Sequence, residues 1–122
     1  MRILVCDDDS VIRYLLNVVL AKRDDHDVIE VADATAVVST AVETRPDIIV
    51  LDYTMPGRSG ADLVRDLNAH PDVAGIPVVF LTGRSDLPAS ELEELGVAGL
   101  IEKPFDTSTL TDRLRTMAGV TV

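Results

Sequence analysis

The sequence predicts a doubly wound α/β fold, in which a five-stranded parallel sheet carries about five helices on its two faces. Short, mostly β-branched apolar runs alternate with helical patterns along the whole chain. Because parallel strands are joined by right-handed crossovers, this alternation places helices on both faces. The apolar runs are nearly continuous, as strands buried on both sides require. The predicted strands are Arg2 to Cys6, Asp27 to Val31, Ile48 to Leu51, Val78 to Leu81 and Gly99 to Ile101.

Apolar residues at helical spacing follow each predicted strand and mark five helices. Helix starts are indicated by an N-cap at Asp33, by Pro88 and by the pair Thr107 and Ser108. With no repeat or long linker, residues 1–122 are expected to form a single domain without an output domain. The helical patterns comprise Val11, Leu15, Val18 and Val19; Ala34, Val37, Val38, Ala41 and Val42; Leu63, Val64 and Leu67; Leu92 and Leu95; and Leu110, Leu114 and Met117.

Composition and charge exclude several classes of function. The chain has 122 residues, of which 47% are hydrophobic, and no apolar run approaches the ~20 residues that a membrane span needs. We therefore expect a cytoplasmic protein without membrane contact. The formal net charge of -10 disfavours direct nucleic-acid binding, which requires clustered basic residues. The single cysteine, Cys6, lies in an apolar strand and is expected to be a core thiol.

Polar side chains follow four of the five predicted strands. The carboxyl ends of the strands of a doubly wound sheet form one edge, where ligands bind. Nine of the eleven basic residues are arginines, so a lysine at this edge indicates a need for a compact point charge. The residues at the strand ends are Asp7, Asp8 and Asp9 after the first strand, Asp52 after the third, Thr82 after the fourth and Lys103 after the fifth.

The crowded carboxylates predict a site for a hard divalent cation. Asp8 and Asp52 would repel each other without one, and Mg²⁺ prefers oxygen ligands while keeping several waters. Neither His nor Cys stands at these strand ends, which argues against zinc. A metal, one ammonium and one hydroxyl together suit a phosphoryl group. Asp52 can then act as a nucleophile and form an acyl phosphate.

These residues resemble the receiver domain of two-component response regulators, the CheY-like family. The resemblance covers essentially the whole chain and rests on four motifs in order: VCDDDS, IIVLDYTMPGRSG, VVFLTG and IEKPF. It implies a flavodoxin-like strand order of 2-1-3-4-5. It also implies that Asp52 is the phosphoacceptor, that the Thr82 hydroxyl turns toward the phosphoryl group, and that Lys103 forms an ion pair with it. The peptide bond before Pro104 is implied to be cis.

The same resemblance implies a set of Mg²⁺ ligands. Asp8, Asp52 and the backbone carbonyl of Thr54 would bind the ion directly, and Asp7 would act mainly through a coordinated water. Asp9 has no firm role in the family and is interpreted as a cap of the first helix.

The implied function is a phosphoacceptor switch that catalyses only its own phosphorylation and dephosphorylation. Its implied partners are a histidine kinase or phosphotransfer protein, which donates the phosphoryl group, and a downstream protein. A phosphorylation-dependent homodimer is a further expectation. The main departure is Leu100, since many receivers have Tyr or Phe three residues before the lysine. Transmission is therefore expected to use the loop from Gly83 to Leu87 and the start of the fourth helix.

Two alternatives stay open at this point. A degenerate receiver that acts only as a docking module is permitted by Leu100, although the intact polar set argues against it. An Asp-nucleophile phosphohydrolase of the haloacid-dehalogenase kind would have a D-x-D arrangement, whereas Tyr53 and Thr54 follow Asp52. The acidic loop after the first strand does not suit a flavin or nucleotide binder. His26 and His70 are interpreted as solvated loop residues.

Overall fold

The computed structural model describes residues 1–83 and 87–119, and its central element is a five-stranded sheet. Every pair of neighbouring strands in this sheet is parallel. The spatial order is β2-β1-β3-β6-β7, which is the predicted 2-1-3-4-5 once two short strands of a separate hairpin are set aside. The strands are β1 (Arg2–Cys6), β2 (Asp27–Val31), β3 (Ile48–Asp52), β6 (Val78–Thr82) and β7 (Gly99–Glu102).

Five α-helices formed by the described residues occupy the two faces of the sheet, as predicted. The helix after β1 continues as a π-helical segment over Asn17–Arg23, and a 3₁₀ turn over Ala34–Ala36 precedes the second helix. Within the described part of the chain, no helix combines the length and apolarity needed to cross a bilayer. The helices are α1 (Ser10–Leu16), α2 (Val37–Thr44), α3 (Gly60–Asn68), α4 (Ala89–Leu95) and α5 (Leu110–Met117).

Alternate residues of each strand pack into separate cores on the two faces of the sheet. On one face, residues such as Leu4, Ile49 and Phe80 pack against α2, α3 and α4. On the other face, residues such as Ile3 and Val50 pack against α1, its π-helical extension and α5. Both side-chain sets are therefore buried, which explains the continuous apolar runs in the sequence.

The face that the segment of α1 and its π-helical extension presents to the core matches the prediction only in part, since Val19 is buried and Leu15 packs against this core as predicted. Val11 is 69% exposed, whereas Leu16 and Leu20 are fully buried. Ile12, four residues before Leu16, also packs against this core. Two apolar stripes with the same i, i+4, i+8 spacing overlap in this segment. Ile12, Leu16 and Leu20 of one stripe pack against the core together with Leu15 and Val19 of the other, and Val11 does not.

The predicted helix starts at Asp33 and at Pro88, which is the N-cap residue of α4, are confirmed, and the one at Thr107 and Ser108 is wrong. The Asp33 carboxylate accepts a hydrogen bond from the Thr35 amide and caps the turn before α2. Thr107 and Ser108 do not cap α5, whose N-cap residue is Thr109 and makes no side-chain cap bond. The Ser108 amide donates instead to Asp106, 2.9 Å away, because a short acidic side chain readily closes such a turn.

A two-stranded antiparallel hairpin, which the sequence did not predict, follows β3. It consists of β4 (Thr54–Met55) and β5 (Arg58–Ser59), and Gly57 turns between them with a φ of +81°. At the start of α3, a Cβ on Gly60 would lie 2.9 Å from the Cα of Tyr53. Only glycine fits this close approach, which brings α3 against the end of β3.

Candidate functional site

The carboxylates of Asp7, Asp8 and Asp52 meet at the carboxyl edge of the sheet. Oxygen atoms from the three side chains lie within 4.8 Å of one another. Asp7 and Asp52 are buried, whereas Asp8 is exposed. The structure thus brings together residues that the sequence places 45 positions apart, because β1 and β3 are neighbouring parallel strands that end in register.

Lys103 supplies a positive charge to this cluster. Its Nζ lies 2.9 Å from Asp7 Oδ2 and 3.6 Å from Asp52 Oδ2. Burial of the ammonium opposes its protonation, but the hydrogen bond from Lys103 to Asp7 and the charges of Asp7 and Asp52 outweigh that effect and raise the pKa of Lys103. The peptide bond between Lys103 and Pro104 is cis, as the sequence resemblance implied.

Asp7 is held rigidly by its neighbours. Its Oδ1 accepts a 2.9 Å hydrogen bond from the Asp9 amide, and its Oδ2 accepts one from Lys103. The Asp9 carboxylate points elsewhere and accepts from the Val11 amide at the start of α1. Asp9 is therefore the helix cap that the sequence predicted, and it is not part of the carboxylate cluster.

The Asp52 carboxylate is destabilised in its charged form. Burial raises the pKa of Asp52 most strongly, and the charges of Asp7 and Asp8 raise it further. A 3.2 Å hydrogen bond from the Thr54 amide to Oδ1, together with Lys103, opposes this increase but does not cancel it. A cation bound beside Asp52 would relieve the same repulsion.

The two threonines take different positions at this edge. Thr82 is buried at the end of β6, and its carbonyl accepts a 2.8 Å hydrogen bond from the Lys103 amide. Thr54 is exposed at the start of β4, where its amide contacts Asp52. Coordination of a metal by the Thr54 carbonyl stays a prediction.

The donor set fits Mg²⁺. Three carboxylates and one ammonium leave two formal negative charges to be balanced, and every donor is a hard oxygen. Cys6 precedes Asp7, but burial and the neighbouring carboxylates raise the pKa of its thiol to about 12. The thiol is buried in the core, 3.6 Å from the sulfur of Met55, and is not available as a soft ligand.

Two contacts at the site were not predicted from the sequence. The guanidinium of Arg13 donates a 2.6 Å hydrogen bond to the carbonyl of Asp7. The phenol of Tyr53 donates a 2.6 Å hydrogen bond to Glu91 in α4. A signal for the first was present, because Arg13 lies four residues after the cap Asp9 and thus in the first turn of α1.

Leu100 is partly buried and lies opposite Phe80 in the register of β6 and β7. Residues 84–86 of the loop expected to transmit the signal lie outside the part of the chain that the structure describes.

Neither histidine belongs to the carboxylate cluster. The interpretation of His26 as a solvated residue is wrong: it is 8% exposed, and its Nδ1 accepts a 2.8 Å hydrogen bond from the Met1 amino group. The connection before β2 packs against the start of β1, and this packing buries the His26 ring. His70 is partly buried rather than solvated.

Comparison with known proteins identifies the family of the chain. Residues 3–115 match the family model of the response regulator receiver domain. DNA-binding response regulator MtrA of Mycobacterium tuberculosis is 36% identical over 115 residues, which are 93% of this chain and 49% of MtrA. Transcriptional regulatory protein FixJ of Azorhizobium caulinodans is 35% identical over 116 residues, 94% of this chain and 54% of FixJ. The chain thus spans about half the length of these curated relatives.

Solved structures show the same fold. Chemotaxis protein CheY4 of Vibrio cholerae superposes with a TM-score of 0.87 at 26% identity, over 95% of this chain and 97% of CheY4. A response regulator from Desulfuromonas acetoxidans superposes with a TM-score of 0.83 at 30% identity, over 97% of this chain and 96% of that one. The chain belongs to the response regulator receiver domain family of two-component signalling.

Proposed function

We propose that this domain is a phosphoacceptor switch, in which Asp52 accepts a phosphoryl group from the phosphohistidine of a histidine kinase or phosphotransfer protein. The observation that supports it most strongly is the cluster of three carboxylates within 4.8 Å, with an ammonium 3.6 Å from Asp52. Such a cluster costs repulsion energy, and a cation together with a phosphoryl group is the chemistry that makes use of it.

Mg²⁺ is the proposed cofactor. By the resemblance to receiver domains, Asp8, Asp52 and the Thr54 carbonyl would bind it directly, and Asp7 would act mainly through a coordinated water. Before phosphorylation, the Asp7 carboxylate would keep its hydrogen bonds from Lys103 and the Asp9 amide. When bound, the ion neutralises phosphoryl oxygens and lowers the repulsion between the incoming phosphate and the carboxylates.

Asp52, Lys103 and Thr82 have separate roles in the transfer of the phosphoryl group. An Asp52 oxygen attacks phosphorus, the O–P bond forms, and the P–N bond to the histidine breaks with its electron pair staying on the imidazole. The donor ring leaves as neutral imidazole when its second nitrogen carries a proton. Lys103 would shift from its present carboxylate contacts to a phosphoryl oxygen, and the Thr82 hydroxyl would donate to another.

Residues 1–122 are proposed to act as a single receiver domain. MtrA, a DNA-binding response regulator, is about twice as long as this chain. With a net charge of -10, this domain is expected to contact a downstream protein, or a second copy of itself after phosphorylation, rather than DNA. Because its proposed donor is a histidine kinase, it is expected to act in the cytoplasm.

Acetyl phosphate with Mg²⁺ provides the test, because the nucleophile and the carboxylate cluster are already arranged and the donor supplies only the phosphoryl group and its leaving group, acetate. Intact-mass measurement should show one added phosphoryl group on the wild type, none on Asp52→Asn, and one on the control Asp72→Asn, whose carboxylate lies outside the cluster. No adduct on the wild type would favour the docking module. Steady multiple turnover of a small phosphate ester would favour the phosphohydrolase.

A further inference from the structure

We propose that Arg13 is a positioning residue of the metal site, which fixes the peptide between Asp7 and Asp8 so that the Asp8 carboxylate faces Asp52. This inference rests on the proposed function, since it concerns how the chain binds Mg²⁺. Arg13 touches neither the phosphoryl group nor the carboxylate oxygens, and acts through the backbone.

The guanidinium of Arg13 is held from two sides. Nη1 donates the 2.6 Å hydrogen bond to the Asp7 carbonyl, and Nε lies 3.9 Å from Oε1 of Glu30 in β2. The other oxygen of Glu30 accepts a 3.4 Å hydrogen bond from the side-chain amide of Asn17. The side chain of Arg13 is only 18% exposed. Arg13 is thus far less exposed than a surface arginine such as Arg65, whose side chain is 64% exposed.

The Asp7 carbonyl is the group whose orientation is set by Arg13. The Asp7 amide donates to the Val31 carbonyl, and the Asp7 carboxylate accepts from Asp9 and Lys103. The carbonyl is the remaining polar group of the residue, and it belongs to the peptide plane that leads into Asp8. Because Asp8 is the exposed member of the cluster, the direction of this peptide plane determines where its carboxylate lies.

Arg13 and Lys103 therefore act differently, although both bring a positive charge to the same edge. Lys103 contacts the carboxylate oxygens that a metal and a phosphoryl group would approach. Arg13 contacts a carbonyl, so it stabilises the strand exit without occupying a ligand position. Its planar fork directs one nitrogen to the Asp7 carbonyl and a second nitrogen toward Glu30, an arrangement that the single nitrogen of a lysine does not reproduce.

The direction in which Mg²⁺ affinity changes when Arg13 is replaced separates a positioning role from a purely electrostatic role. Removing a positive charge near a cation site should tighten Mg²⁺ binding if only Coulomb interactions matter. If Arg13 positions Asp8, Arg13→Met should instead weaken Mg²⁺ binding, by about tenfold as for other groups that orient metal ligands. Arg13→Lys should also weaken it, although the charge is kept.

The experiment is a Mg²⁺ titration of the metal-free protein followed by amide NMR, with the melting temperature measured in parallel. Arg65→Met is the matched control, since Arg65 is an exposed arginine that pairs with Asp62 on α3. Glu30→Gln should weaken Mg²⁺ binding less than Arg13→Met does. If Arg13→Met does not fold, Glu30→Gln tests the proposal in its place. Without metal, Arg13→Met should already shift the amide signals of Asp8 and Asp9.

The outcomes distinguish this inference from the proposed function. If the wild type does not bind Mg²⁺ at Asp8 and Asp52, the proposed function fails. If the wild type binds and Arg13→Met binds equally or more tightly, the positioning role alone is overturned. A lower melting temperature with unchanged Mg²⁺ affinity would show that Arg13 merely stabilises the fold.

Discussion

The Tyr53 hydroxyl, one residue after Asp52, donates a 2.6 Å hydrogen bond to the Glu91 carboxylate in α4. The Tyr53 ring also packs edge-on against Phe80, with centroids 5.1 Å apart and an interplanar angle of 88°. Phe80 lies two residues before Thr82 on β6. Contacts of Tyr53 thus join the end of β3 to α4 and to β6 without passing through Leu100, which lies in β7 opposite Phe80.

Replacing Tyr53 with Phe should loosen α4. The variant removes the hydroxyl and leaves the part-buried Glu91 carboxylate without this donor, so we expect a loss of roughly 1 to 2 kcal/mol in unfolding free energy. Urea denaturation measures the loss. Tyr14→Phe is the control, because Tyr14 is 66% exposed on α1. Equal stabilities of wild type and Tyr53→Phe would mean that the hydrogen bond contributes nothing to holding α4.

Lys103→Arg should impair the response to a phosphoryl mimic although it keeps the charge. The ammonium fits between Asp7 at 2.9 Å and Asp52 at 3.6 Å, where a wider planar guanidinium cannot occupy the same point. We expect several-fold weaker binding of beryllofluoride, followed by NMR. Lys22→Arg, on the exposed side of the π-helical segment, should behave as wild type. Wild-type affinity in Lys103→Arg would assign Lys103 no special role.

Asp52→Asn should stabilise the metal-free protein at neutral pH. The pKa of Asp52 is raised above 3.8, mainly by burial, so its contribution to stability is present at low pH and is lost as the pH rises through the folded-state value. The variant should melt a few degrees higher at neutral pH, and the difference should shrink as the pH approaches 3.8. Mg²⁺ should raise the melting temperature of the wild type only. A wild type that melts higher than the metal-free variant would contradict this.

His26 should make the fold less stable in mild acid. Burial, the Met1 amino group and Arg115 lower the pKa of His26 below its ordinary value of 6.5. The unfolded chain therefore binds this proton more readily, and stability falls as the pH drops below 6.5. Urea denaturation at several pH values should show a smaller fall in His26→Gln than in the wild type or in His70→Gln. The same fall in all three proteins would rule out His26 as its source.

The strand ends were predictable because each is coded locally. A β-branched run followed by an acidic residue or a lysine marks the end of a buried strand, and the topology of a doubly wound sheet brings such ends to one edge. For this reason Asp7, Asp8, Asp52 and Lys103 could be placed together from the sequence, and Thr82, at the end of β6, was placed with them by the sheet topology. The resemblance to receiver domains supplied the strand order.

The contacts that sequence reasoning missed depend on long-range packing. Tyr53 and Glu91 are 38 positions apart, and nothing local marks them as partners. The burial of His26 depends on how the start of β1 covers the connection before β2. The exposure of Val11 reflects two overlapping apolar stripes, between which only the packed sheet decides.

The central claim is that Asp52 receives the phosphoryl group, and locating the acyl phosphate on the chain tests it most directly. The wild type is incubated with acetyl phosphate and Mg²⁺, and borohydride then reduces an aspartyl phosphate to homoserine, which peptide mass spectrometry can locate. We predict homoserine at position 52 and unchanged aspartates at Asp7 and Asp8. Homoserine at Asp7 or Asp8, or at none of the three positions despite a phosphoryl adduct in the intact mass, would contradict the account.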